Sequence, residues 1–211
     1  MTVRDLRVEA NGRTLLVVDT LAVEPGEAVA VVGPSGAGKS TLLHALAGLN
    51  AAAGRVVWGD TDMLALSPPE RTRFRGRHMG LVFQDHMLFE ELDARENAAI
   101  AAAFRPDPAI RRRADDVLAA LGVPLDARDA RTFSGGERGR IAVARALAHD
   151  PAAVLADEPT ASLDRAAADR LAGDLLRLTA RAGRALIVAT HDERLRAACD
   201  RTVTLADGRL A

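Results

Sequence analysis

One nine-residue stretch, Gly33-Pro34-Ser35-Gly36-Ala37-Gly38-Lys39-Ser40-Thr41, constrains this 211-residue chain more than any other. The apolar run Ala28-Val29-Ala30-Val31-Val32 precedes it and Leu42-Leu43-His44-Ala45-Leu46 follows. The order is therefore strand, glycine-rich loop, helix, with the spacing G-x-x-x-x-G-K-[ST] of a P-loop. Gly33, Gly36 and Gly38 let the backbone bend so that successive N–H groups point inward as an anion-binding nest. The helix that follows adds its partly positive N-terminus at the same place. Lys39 has the reach for β- and γ-phosphates, and the Ser40 hydroxyl suits Mg²⁺. A nucleoside triphosphate is the ligand these residues anticipate.

The rest of the composition narrows the class. With 48% hydrophobic residues the chain can bury a full core, most simply as one domain over residues 1–211. Its 28 basic and 29 acidic residues nearly cancel, which gives no basis for nucleic-acid binding. Arg111-Arg112-Arg113, followed by Asp115 and Asp116, reads as a solvated helix face. The single cysteine, Cys199, has no intrachain partner and reads as helix packing in a reducing compartment. Early charges at Arg4, Asp5, Arg7 and Glu9 do not form a secretory signal, and no apolar run reaches the ~18 residues of a spanning helix. Any membrane role is expected to come through a partner, with no direct membrane insertion.

In chain order, residues 3–9 and 14–18 read as a hairpin about Asn11-Gly12, and residues 55–58 as a further short strand. Residues 66–70 read as a loop with a helix start, and residues 80–84 as an apolar strand. Residues 93–121 read as mainly helical, broken at Pro106 and Pro108, and residues 122–133 as a loop. A helix is expected over 134–150, a strand at 153–156, a helix over 165–181, a strand over 184–190, and a terminal hairpin at 201–210. Apolar strands without polar alternation, separated by helices, predict an α/β fold with a mostly parallel sheet covered on both faces. The helical block 86–151 reads as a lobe inserted between 1–85 and 152–211, with an antiparallel β part at the N-terminus.

Two further places carry chemistry. Asp157 and Glu158 end the run Val154-Leu155-Ala156, and a carboxylate at the carboxyl end of a parallel strand faces the crevice where ligands bind. Asp157 suits Mg²⁺, and Glu158, one residue on, suits polarising a water for in-line attack on a γ-phosphate. Ser134-Gly135-Gly136-Glu137 opens a helix, and Ser-x-x-Glu is also a capping box. Its two glycines weaken the first turn by up to ~1 kcal/mol each relative to alanine. They leave an N-terminus free of side chains, suited to close approach of a phosphate.

The P-loop, Gln84, Phe133-Ser134-Gly135-Gly136-Glu137, Ala156-Asp157-Glu158-Pro159-Thr160, Ser162-Leu163-Asp164 and Thr190-His191-Asp192 occur in this order. Together they resemble the ATP-binding cassette (ABC) ATPase domain over essentially the whole chain. The resemblance implies a P-loop NTPase core with ATP and Mg²⁺ bound. It makes residues 33–41 the Walker A loop, Asp157 the Walker B aspartate and Glu158 the catalytic glutamate. Gln84 becomes the Q-loop glutamine that senses Mg²⁺ and the attacking water, and His191 the switch histidine at the γ-phosphate. Ser134 to Glu137 resemble the signature motif, which in this family contacts ATP on the other subunit of a head-to-tail dimer. Asp164 is similar to the D-loop residue at that interface.

Three departures stand out. Phe133 takes a place where leucine is usual, and Gly139 replaces a glutamine common after the signature. The aromatic residue that stacks on adenine is absent between Glu9 and Thr14, and the chain has no tyrosine. Weaker base stacking is expected, with lower nucleotide affinity or a looser choice of ATP over GTP.

Residues 74–80 with Phe83-Gln84 resemble the subgroup of lipoprotein release, macrolide export and cell division. The family's permease docks at the stretch His86 to Leu92, although Leu88, Phe89 and Leu92 also suit packing in the helical lobe. The short C-terminus agrees with this subgroup. The expectation is an ATPase subunit on the cytoplasmic face of the inner membrane, a homodimer on ATP and partnered by a transmembrane permease. A non-transport ABC ATPase, for example in iron–sulfur assembly or cell-division regulation, is the alternative, and a generic P-loop kinase is disfavoured by the signature.

Overall fold

The structure, a computed structural model, describes every residue except 106, 126, 127 and 211. Strands β1 (Thr2–Ala10) and β2 (Arg13–Ala22) form the N-terminal hairpin. Asn11 and Gly12 both take left-handed φ, 53° and 71°, which is the twist a two-residue hairpin turn requires. β3 (Ala28–Val32) leads into the P-loop and α1 (Lys39–Leu46). β4 (Ala53–Trp58) pairs antiparallel with β1, and β5 (Thr61–Asp62) pairs with β4. α2 (Pro68–His78) begins on proline, whose missing N–H costs nothing in the first turn, and is closed by a Ser67/Glu70 capping box.

The parallel part comprises β3, β6 (Met79–Val82), β7 (Ala153–Asp157) and β8 (Ala185–Ala189), with β9 (Arg201–Ala206) beside β3. β10 (Arg209–Leu210) pairs antiparallel with β9 and parallel with β2. The terminal hairpin therefore joins both halves into one ten-stranded sheet, ordered β5-β4-β1-β2-β10-β9-β3-β8-β7-β6.

Alternation along the buried strands divides the core. Val29, Val31, Leu155 and Ile187 pack with Leu42, Leu43 and Leu46 of α1 on one face. Ala30, Val154, Ala156 and Val188 face the other way, onto α5 (Gly135–Leu147) and α6 (Arg165–Leu178). That second cluster continues without a break into α3 (Ala94–Ala98) and α4 (Pro108–Ala120).

The stretch 93–121, expected to be mainly helical and broken at Pro106 and Pro108, is two α-helices that part earlier, at Ala99. After α3 the Ala-rich run loses α geometry at Ala99 and tightens into a 3₁₀ turn at Ile100–Ala103, and α4 starts anew with Pro108 in its first turn. The break expected at Pro106 lies outside the described residues. Residues 134–150 are helical only as α5 from 135 to 147, and α6 stops at Leu178 with a 3₁₀ turn beyond. Arg113 departs from the expected solvated face: it donates to the Ala148 carbonyl (2.9 Å) and pairs with Asp107 (3.4 Å). Cys199 lies just past α7 (Glu193–Ala197), its thiol donating to the Leu195 carbonyl (3.3 Å) and pushed by burial up to about 11. Among the described residues no helix is long and apolar enough to cross a membrane.

Candidate nucleotide site

A cavity of about 600 Å³ opens at the carboxyl ends of β3, β7 and β8. Every residue of the P-loop stretch except Ala37 lines it, together with Gln84, Glu158, Ala161 and His191. The loop's backbone is fixed by steric necessity at Gly33. A Cβ there would lie 2.1 Å from the Leu205 carbonyl oxygen of β9, so only glycine permits this approach. Gly38 N-caps α1 at φ 100° with no side-chain cap, which leaves the first N–H groups of the helix free for a ligand.

Three side chains meet across the cavity. Lys39 Nζ donates to the Gly33 and Pro34 carbonyls (2.9 and 3.3 Å) and stands 3.8 Å from Glu158 Oε1. Glu158 Oε2 lies 2.7 Å from His191 Nδ1 and accepts from the His191 backbone N–H at 3.2 Å. Glu158 itself is left-handed at φ 45°, a conformation that costs a non-glycine residue about 1–3 kcal/mol. Its N–H donates to the Ala189 carbonyl (2.9 Å), so the ends of β7 and β8 hold it there. Strain held at a carboxylate facing a lysine and a histidine is characteristic of reacting sites.

Asp157 is buried but borders a small pocket with Leu43, His44 and Phe83 instead of the large cavity. Among the described residues its Oδ1 has no hydrogen-bond partner, and an orphaned buried carboxylate oxygen calls for a cation or water. Asp157, the Ser40 hydroxyl and the Gln84 amide all offer hard oxygen donors, the chemistry that suits Mg²⁺, with Ser40 and Gln84 on the large cavity and Asp157 on the small one. Among the described residues no three His, Cys, Asp or Glu side chains cluster as a metal cage. A site sparing in protein ligands is usual for Mg²⁺, which keeps waters and takes phosphate oxygens.

Ser134, Gly135, Gly136 and Glu137 do not line the cavity. Here Ser134 and Glu137 satisfy one another: the Ser134 hydroxyl accepts from Glu137 N–H, and the Glu137 carboxylate accepts from Ser134 N–H (2.8 Å). Burial raises the Glu137 carboxyl's proton affinity, but the Ser134 donors and Arg128 outweigh it, so the group lies below its ordinary value. Asp164 likewise caps α6, accepting from Ala167 N–H at 3.0 Å, and stays out of the cavity.

Two residues, Ala161 and Asn97, escaped sequence reasoning, and His86, read there only as part of the docking stretch, is placed differently. Ala161 lines the cavity, and only its closeness to Glu158 hinted at this. Buried Asn97 holds the loop after Gln84, accepting from Phe89 N–H (2.8 Å) and donating to the Phe89, Leu92 and Asp93 carbonyls. His86 is buried beside α5; burial, Arg138 and Arg145 hold its imidazole below the ordinary 6.5, against the Phe83 carbonyl and Asp85.

The sequence profile of the ABC transporter family matches residues 18–161. The chain belongs to the ABC transporter family. It is similar to the lipoprotein-releasing system ATP-binding protein LolD of Novosphingobium aromaticivorans, 45% identical over 90% of this chain and 87% of that protein. The LolD protein of Gluconobacter oxydans is 47% identical over 88% of this chain and 82% of its own length. Among solved structures, the ATP-binding cassette MJ0796 in a dimeric post-hydrolysis state bound to ADP and Pi superposes with a TM-score of 0.90. It is 30% identical and covers 100% of this chain and 96% of its own. This ABC ATPase is thus an ATP-binding, ATP-hydrolysing subunit of the transporter type, in the subgroup expected, and the non-transport alternative is not favoured.

Proposed function

We propose that this ABC ATPase powers extraction or export by a lipoprotein-release-type permease, from the cytoplasmic face of the inner membrane. The names of the LolD relatives support the substrate class. The observation that carries the chemistry is the contact chain Lys39–Glu158–His191 inside the P-loop cavity. In this reading Glu158 accepts the proton of the attacking water, and His191 holds Glu158 in place while facing the γ-phosphate. Lys39 leaves the Gly33 and Pro34 carbonyls for the β- and γ-phosphates. Ser40, Gln84 and Asp157 would hold Mg²⁺, which neutralises phosphate oxygens when bound.

The helical block 86–151 is the lobe that carries the signature, set into a core of 1–85 and 152–211. Two copies close head to tail on two ATP molecules, and Ser134 to Glu137, with Asp164, reach the nucleotide of the opposite copy. The dimeric cassette structures support that arrangement. The permease docks beside the Q-loop. In support, Met87 and Phe89 are 61% and 53% exposed while Leu88 is buried, and Met87 stands at a groove floored by Met79, Leu81, Phe83 and Ala101.

The test is affinity purification of tagged Glu158→Gln protein with ATP from gently solubilised membranes. Recovery of a few-helix permease with a large extracytoplasmic domain is expected, and its loss on Met87→Glu would place the contact. A soluble partner without a permease overturns the proposal.

A further inference from the structure

A second cavity, of about 630 Å³, lies beside the amino ends of β6 and β7 and shares no lining residue with the nucleotide cavity at the opposite ends of the strands. Arg77 and His78, at the end of α2, form one wall. Arg105, Asp107 and Arg113, around the start of α4, form another, and His149 and Asp150, just past α5, close it.

Two of its guanidiniums are fixed in place. Arg105 Nη1 reaches the Gly76 carbonyl of α2 at 3.5 Å, and Arg113 Nε donates to the Ala148 carbonyl past α5 at 2.9 Å. Each then turns its Nη2 to the same oxygen, Asp107 Oδ2, at 3.2 and 3.4 Å. The other oxygen of Asp107 accepts from Ala109 N–H (2.9 Å). The Arg77 guanidinium has no hydrogen-bond or ion-pair partner among the described residues. Asp150 accepts from Arg184 (2.6 Å), which stands outside the cavity.

Three guanidiniums therefore face one carboxylate not neutralised from elsewhere, an excess of two positive charges in a chain whose net charge is −1. Burial, with Arg105 and Arg113, holds the His149 imidazole below its ordinary value against the Met79 carbonyl and Asp150, as a positive field in this space would. A tie between α2, α4 and α5 needs one guanidinium for its carboxylate. The surplus suits a different partner, because arginine presents paired N–H groups that match phosphate oxygens and bind them as charge-assisted hydrogen bonds.

We propose that this cavity is a second anion site, which takes a phosphate group between Arg77, Arg105 and Arg113. The phosphate balances the surplus charge and bridges α2 to the start of α4. Its chemistry is the same whether it is dissolved phosphate or the headgroup of a phospholipid.

The test is equilibrium dialysis of the full chain against radiolabelled inorganic phosphate at pH 7, carried out on Lys39→Ala protein so that phosphate on the P-loop is weakened. Saturable binding of about one phosphate per chain is expected, about tenfold weaker in Arg77→Gln, the scale of one lost hydrogen bond to a charged group. Arg77→Lys, which keeps the charge, should stay within about threefold of the parent. Arg77 has no partner to lose, so Arg77→Gln should melt with the parent. Arg105→Gln should weaken phosphate as much and melt lower, because its ties to Gly76 and Asp107 go with it. Sedimentation with phosphatidic acid vesicles, against phosphatidylcholine vesicles, separates the sources. Retention on phosphatidic acid that Arg77→Gln loses assigns a headgroup, and saturable dialysis binding without such retention assigns dissolved phosphate. If neither phosphate binding nor vesicle retention falls in Arg77→Gln and Arg105→Gln, the proposal is overturned. It is overturned equally if both are absent and Arg77→Gln instead fails to recover a permease, which would give these arginines to an acidic protein segment.

Discussion

The molecule has two glycine-rich helix N-termini suited to phosphate, and they are left in opposite states. At α1, Gly38 offers no side-chain cap, and Lys39, Glu158 and His191 converge on the open N–H groups. At α5, Ser134 and Glu137 close on each other as a capping box, and none of the four signature residues reaches the cavity. The same local device is thus an assembled site in one place and a self-satisfied helix start in the other. In the proposed reading one chain grips the triphosphate at α1, whereas the N-terminus of α5 acquires a ligand only if another copy brings one to it. That is the physical content of a head-to-tail dimer.

The difference breaks most sharply at Glu158. Glu158→Gln should reduce kcat by about 10²–10⁴-fold, the usual worth of a positioned general base, while ATP binding is kept. Single-turnover hydrolysis and size exclusion with ATP would show a slow, long-lived dimer; near-normal turnover would remove Glu158 from the chemistry. Lys39→Ala comes next. It removes a charged donor from the phosphates, and a hydrogen bond of that kind is worth about 1.5–3 kcal/mol, so ATP affinity should fall about 10–100-fold. Calorimetric titration measures it, and unchanged affinity would mean that the P-loop amides suffice. Ser134→Ala acts on the other N-terminus and is smaller for the monomer. Loss of the cap costs about 1 kcal/mol of stability, and monomeric ATP affinity should hold while ATP-driven dimerisation weakens. Weakened binding in the monomer would place the signature in the same chain's site.

How much of this was legible in the sequence follows from the range of each interaction. The P-loop, its flanking strand and helix, and the β1–β2 turn are set by neighbours in the chain, so glycine spacing and apolar runs disclosed them. The capping box at Ser134 was equally visible because its partner is three residues away. What remained hidden depends on distant chain segments. The need for glycine at position 33 comes from the Leu205 carbonyl of β9, and the orphaned Asp157 oxygen from burial beneath α1. The end of α3 at Ala99, inside a buried alanine-rich run, is one that no helix propensity reports. Gly139 was noted as a departure, but the atom a side chain there would press on, Leu171 Cδ2, comes from α6.

The turn between β1 and β2, where the family resemblance implies an adenine-stacking aromatic, extends the comparison. Ala10 is exposed at the end of β1, opposite Arg13, where no aromatic ring is offered. In the proposed reading, phosphate contacts therefore carry a larger share of affinity at the α1 site. Ala10→Trp should add about 1 kcal/mol of stacking, roughly a fivefold gain for ATP and none for tripolyphosphate. Equal gains for both ligands would locate the effect elsewhere than on the base.

The smallest expected effect lies at the far end of α5. His149, just past that helix, is buried, with Nε2 3.0 Å from the Met79 carbonyl. Burial pushes its imidazole below the ordinary 6.5, helped by Arg105 and Arg113 and opposed by the Met79 carbonyl and Asp150. A base whose folded value is depressed stabilises the fold above the unfolded value, and that stability is lost as pH falls from about 6.5 through the folded value. His149→Gln keeps a donor for the Met79 carbonyl but cannot titrate. Its unfolding free energy should therefore decline less on going from pH 7 to pH 5, measured by denaturant melts at both. The slope that survives belongs to other groups, His86 among them. An unchanged slope would mean that His149 is equally protonated in the folded and unfolded chain, and that the anchor of the signature helix carries no pH dependence. If the slope flattens while ATP affinity at pH 7 is untouched, the two ends of α5 separate cleanly: one fixes the helix in the fold, and the other is held ready for a phosphate from outside.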